Sequence, residues 1–150
     1  MTRTTRSGKR GASRGAERGQ SLVEFSFALI VFLLLLMGII DLGRAVYTLT
    51  GTAQAASEIA RVTSVHPGAA LGSSPETTTV VSVQSKLVPG LAVTSYECVD
   101  IAGGSIAGVC KPGYGYWVRV TVASTFNPVT PLALMFGPIQ MTSHSSAEIE

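Results

Sequence analysis

Arg18-Gly19-Gln20-Ser21-Leu22-Val23-Glu24-Phe25 leads without interruption into Ser26-Phe27-Ala28-Leu29-Ile30-Val31-Phe32-Leu33-Leu34-Leu35-Leu36-Met37-Gly38-Ile39-Ile40. A basic arm ends in a glycine, and five residues later a carboxylate stands at the mouth of an apolar run. Leu22 to Ile40 reads as a helix that is apolar on all faces, apart from Glu24 and small residues such as Ser26, Ala28 and Gly38. At its helical rise the run spans about 29 Å, close to the hydrocarbon thickness of a bilayer. A carboxylate one turn into such a segment costs a few kcal/mol unless it finds a partner, which makes Glu24 a functional candidate. At headgroup depth that cost nearly vanishes, so two readings of Glu24 stay open.

Upstream, residues 1–19 carry Arg3, Arg6, Lys9, Arg10, Arg14 and Arg18 against Glu17 alone. The formal charge of +2 for the whole chain therefore hides a basic arm and an acidic remainder. Gly, Ser, Thr and Ala between the charges leave the arm too little apolar surface to bury, and the expectation is a disordered leader. Basic residues just before an apolar run set membrane orientation, with this end cytoplasmic and the C-terminal part outside. Nucleic acid is not the expected partner; membrane lipid is.

Downstream, no proline occurs before Pro67. Ala45, Leu49, Ala53, Ala56 and Ala60 recur at steps of three and four among Thr, Gln, Ser, Glu58 and Arg61, which predicts an amphipathic extension of the same helix to about Val65. Gly43 and Gly51 are its expected bends. Asp41, Gly43 and Arg44 mark the interface, with Asp41 three residues from Arg44. The organisation is thus a leader over 1–19, a hydrophobic-then-amphipathic helix over 20–65 with its span at about 22–40, and a small domain over 66–150.

In that domain His66-Pro67-Gly68 ends the helix. Ser74-Pro75-Glu76 offers an N-cap, a first-turn proline and a first-turn acid, and Val80, Val83, Leu87 and Val88 follow at helical spacing. The threonines and valines there also suit a strand. Leu91 to Val99 then alternates. Tyr114 to Phe126 is the clearest strand, with Tyr116, Val118, Val120, Val122 and Phe126 on one face and Trp117, Arg119, Thr121, Ala123 and Thr125 on the other. Asn127-Pro128 breaks it, Leu132 to Phe136 connects, and Ile139 to Ile149 makes a final strand. Short links favour antiparallel pairing. The fold class is α+β: a long N-terminal transmembrane or assembly helix, a second short helix and a small antiparallel sheet.

The two cysteines, Cys98 and Cys110, bracket a Gly-rich loop. If that side is exported a disulfide can close the loop; two free thiols are the alternative. With no C-x2-C pair and only His66 and His144, no metal or other cofactor is expected. Neither histidine has a nucleophile elbow or phosphate loop around it, so catalysis is not expected either. Trp117, Tyr114 and Tyr116 are assigned to sheet packing, with an adhesive patch as the other reading.

The opening stretch resembles the type IV pilin signal, a basic leader ending in glycine followed by four residues, a glutamate and an aromatic. More closely, residues 18–25, then Gly38-Ile39-Ile40-Asp41-Leu42-Gly43-Arg44-Ala45-Val46-Tyr47, then Ala55-Ala56 and Ala60-Arg61, resemble the TadE-like family of tight-adherence pilus proteins. The likeness is specific over residues 18–61 and architectural beyond. The chain departs from many relatives in lacking a proline inside the apolar run and in having Ile59 where a glycine precedes the Ala-Arg pair.

That resemblance implies a pilin-like fold and a minor pilin or pseudopilin acting in pilus assembly. It implies cleavage after Gly19 by a membrane prepilin peptidase, leaving Gln20 with a free ammonium. It also implies that Glu24, beside Phe25, pairs with such an ammonium on a neighbouring subunit and sets register; the partners are then the peptidase, other pilin subunits and the assembly machinery. Two other readings compete. One is an uncleaved single-span anchor for an extracytoplasmic binding domain. The other is a secretory signal cut near Ala53-Gln54-Ala55, although Arg44 and about 13 residues stand between that site and the apolar run.

Overall fold

The largely apolar run Leu22 to Ile40 and the proline-free amphipathic stretch after it give the backbone no reason to leave the helix, and it does not. In a computed structural model that describes residues 13–106, 110, 115–130 and 137–149, helix α1 runs Ser13–Val65. It continues through both Gly43 and Gly51. Its start corrects one expectation: residues 13–19 are helical where a disordered leader was predicted. Arg14, Ala16, Glu17 and Arg18 are compatible with an added turn on a strongly helical run. The rest of the leader, Gly108, Tyr114 and the Leu132 to Phe136 connector lie outside the described residues.

The chain divides into two compact units, Met1–Ile39 and Ile40–Glu150. In the first, every residue from Gly19 to Ile39 is exposed, with Leu22 at 67% and Phe25 at 65%. Helical hydrogen bonds satisfy the backbone, but no described residue of this unit covers the leucines and phenylalanines. Such a surface is stable only in lipid or against other helices.

In the second unit, α1 buries Thr48, Thr52, Ala55, Ala56, Ile59, Ala60 and Thr63. This stripe is rotated from the predicted one: Leu49 and Ala53 are exposed, and threonines take their place. Burial costs those threonines little, because Thr48 Oγ1 donates to the Arg44 carbonyl at 2.9 Å and Thr52 Oγ1 to the Thr48 carbonyl at 2.7 Å. Small side chains on this face let neighbours approach closely; a Cβ at Gly51 would stand 2.9 Å from a Val88 methyl.

Helix α2 spans Pro75–Leu87. Ser74 caps it, its hydroxyl accepting from the Thr77 amide at 3.1 Å, with Pro75 and Glu76 in the first turn. The helical spacing holds, and of its four apolar residues Val80 and Val88 turn inward while Val83 and Leu87 do not. Val83 and Leu87 are 47% and 58% exposed, while Thr77 is fully buried and Val80, Val81 and Val88 meet the core. Thr77 faces inward because the cap and α1 both bond it, Thr63 and Thr77 hydroxyls lying 3.3 Å apart.

Among the described residues four strands follow: β1 Ala92–Val99, β2 Ser105–Ile106, β3 Trp117–Phe126 and β4 Ile139–Glu148. They form one antiparallel sheet in the order β2-β1-β3-β4. β3 starts at Trp117, later than predicted, with Tyr116 half-buried against the core beside it. Its strict alternation puts Val118, Val120, Val122, Ser124 and Phe126 inside. With Val99, Leu91, Val88 and the α1 stripe they form the core. β1 is bulged between Val93 and Ser95, which leaves Thr94 as the extra residue.

Candidate functional site

The residues that the sequence marks for function begin in the first unit. Gly19 is helical and exposed, and a Cβ added to it would meet nothing within 4 Å, so packing in this chain does not demand glycine there. Gln20 and Glu24 lie four apart and therefore on one helix face, one turn from each other. Both are exposed, as is Phe25 on the flank. Among the described residues Glu24 makes no ion pair. A carboxylate at the entrance of the apolar run, without an ion-pair partner among the described residues, is open to a cation from another chain.

The second unit brings together a group that sequence reasoning missed. Asp41, expected at the interface, is 93% withdrawn from solvent, being only 7% exposed. Its Oδ2 accepts from the amides of Thr130 at 2.7 Å and Val129 at 2.9 Å, and its Oδ1 from Arg44 at 3.2 Å. Asn127-Pro128 ends β3 and turns the backbone, leaving two successive N–H groups without ladder partners; the carboxylate supplies what the sheet no longer does. Arg44, three residues on, lies with its guanidinium carbon 5.6 Å from the centre of the Phe126 ring. The Thr130 amide foremost, then Val129 and Arg44, outweigh the desolvation of Asp41 and hold its carboxyl below the ordinary value. The expected Asp41–Arg44 pair exists, but the backbone amides are what bury the acid. No local signal in the sequence marks this group, because its donors lie 88 and 89 residues further along the chain.

Elsewhere in the unit, Thr52 and Ser124 hydroxyls meet at 2.7 Å, fastening α1 to β3 inside the core. Cys98 and Cys110 form a disulfide with their Cα atoms 5.6 Å apart. His66 and His144 are exposed. Among the described residues no three His, Cys, Asp or Glu side chains cluster as a metal would need. A cavity of about 630 Å³ between Val62, Val65, Pro75 and Val80 is mostly apolar, with Arg61 and Glu76 at its edge.

These features define a class: a helix long and apolar enough to cross a membrane, followed by a small α+β domain. Residues 19–61 match the model of the family described as TadE-like protein. The match begins at the glycine before Gln20 and ends at the Ala60-Arg61 pair, so it includes Glu24, Asp41 and Arg44 and covers less than half of the chain. Comparisons with curated proteins and with solved structures returned no match.

Proposed function

We propose that this protein is a minor pilin or pseudopilin subunit for assembly of a tight-adherence pilus, anchored by residues 22–40 and matured by a prepilin peptidase after Gly19. One observation carries the proposal. Within the segment similar to TadE-like protein, Glu24 stands exposed one turn from Gln20 at the entrance of an apolar helix and has no ion-pair partner among the described residues. Cleavage would turn Gln20 into an ammonium, and Glu24 of one copy could then neutralise the ammonium of another in an apolar setting. Such a pair adds little stability but fixes register. The basic residues before the span put that end in the cytoplasm and the α+β domain outside. The subunit acts by binding other subunits, lipid and the assembly machinery, with no catalysis of its own.

A second reading has one observation in its favour. α1 starts at Ser13 and runs as helix through the Gly19–Gln20 bond, which suits an uncleaved single-span anchor. Proteases bind extended backbone, so maturation requires this turn to unwind; glycine there lowers the cost of doing so. Co-expression with a prepilin peptidase separates the two readings: wild type shifts to a smaller band, and Gly19→Leu does not. An unshifted wild type favours the anchor.

A further inference from the structure

The sheet has two edges, and they differ. Among the described residues β2 is two residues long, and a short edge strand is one way in which a sheet avoids pairing with other chains. β4 is ten residues long and pairs with β3 in unbroken register from Ile139 to Glu148. It holds no proline, lysine or arginine and no bulge, and Glu148 at its end is its one carboxylate. Among the described residues nothing pairs with its other side, and Gln140, Thr142, His144, Ser146 and Glu148 are all exposed. Free N–H and C=O groups along an unprotected edge complement one thing well, another extended backbone.

We infer that the free edge of β4 pairs antiparallel with the β4 of a second copy, about a two-fold axis at His144. The sequence of the strand selects that occupant. Centred on His144, Ser143 meets Ser145, Thr142 meets Ser146, Met141 meets Ala147 and Gln140 meets Glu148. Hydroxyl faces hydroxyl, apolar faces apolar, an amide faces a carboxylate, and no carboxylate faces another. The half-buried residues Met141, Ser143, Ser145 and Ala147 stay together on one side of the joined sheet. Centring on Ser143 sets Met141 against Ser145, and centring on Ser145 sets Ser143 against Ala147, so both lose that match. Pairing between residues of unlike parity puts exposed positions opposite half-buried ones. The inference concerns the second unit alone and does not depend on cleavage after Gly19.

Site-directed spin labelling of the full chain in detergent micelles tests it. Cys98 and Cys110 are tied to each other, so a thiol introduced on β4 is the one labelled. Nitroxides at His144→Cys should lie closest. Identical labels at 142 or 146 should be about 13 Å further apart along the strand, and labels at 140 or 148 about 26 Å. Association through the apolar helix would not put the minimum at 144. Thr142→Lys with Ser146→Lys, both on the exposed face, sets lysine against lysine twice and should abolish the short distance, whereas Thr142→Lys with Ser146→Glu should restore it. A chain with no short distance, a minimum at another position, a double-lysine variant that pairs like wild type, or pairing of β4 only with a different protein would each overturn the proposal.

Discussion

The Asp41 carboxylate accepts the Thr130 amide at 2.7 Å across 89 residues of chain, joining α1 to the segment that leaves β3. Val129 donates to the same oxygen, so one acid terminates two backbone groups that the sheet has released.

Asp41→Asn keeps one acceptor but turns an amide nitrogen toward a donor and removes the charge. Amide exchange at Val129 and Thr130 should accelerate by roughly tenfold or more, while β3 positions such as Val120 change far less. The wild type should show a related pH dependence. Because the folded carboxyl lies below its ordinary value of 3.8, its contribution is complete above that pH and is lost as pH falls through the lower folded value. Protection at Val129 and Thr130 should therefore persist at pH 5 and decline below about pH 3.8. Equal protection in acid would contradict the assignment.

Thr52→Val removes the hydroxyl that meets Ser124 in the core. The stranded Ser124 hydroxyl should lower stability by about 1–3 kcal/mol in denaturant titrations. Adding Ser124→Ala should return part of that loss, because both partners are then apolar; a double variant as weak as the sum of the two would exclude coupling.

The Cys98–Cys110 disulfide closes a loop twelve residues along the chain. Unreduced protein should weigh two hydrogens less than reduced protein. Cys98→Ser with Cys110→Ser should cost about 2–3 kcal/mol, read from the urea midpoint. Unchanged mass on reduction would remove the bridge.

Glu24→Ala should leave cleavage largely intact and reduce incorporation into sheared pili. Glu24→Asp, which keeps the charge on a shorter arm, should recover part of the loss. Immunogold labelling of sheared filaments measures both, and wild-type incorporation of Glu24→Ala would remove the register role.

Much of this architecture was legible in the sequence because it depends on short-range chemistry. The apolar run from Leu22 to Ile40 needs no partner to declare a helix, Ser74-Pro75-Glu76 declares a helix start, and Val118-x-Val120-x-Val122 declares a strand with one buried face. The errors were of rotation and of long-range pairing. Leu49 outranks Thr48 and Thr52 on any hydrophobic scale, yet the threonines are buried, since their hydroxyls bond the preceding turn and Ser124. Val83 lost to Thr77 for the same reason. Asp41 could not be placed from its neighbours at all, because its donors arrive from residues 129 and 130. At the N-terminus Gly19, Gln20 and Glu24 were legible as a pattern, while the cation that Glu24 would meet belongs to no residue described in this chain.

N-terminal sequencing of the protein recovered from the membrane fraction of its own cells tests the central claim most directly. The mature chain should begin Gln20-Ser21-Leu22-Val23-Glu24. An intact start at Met1, or a start near Ala56, would contradict it.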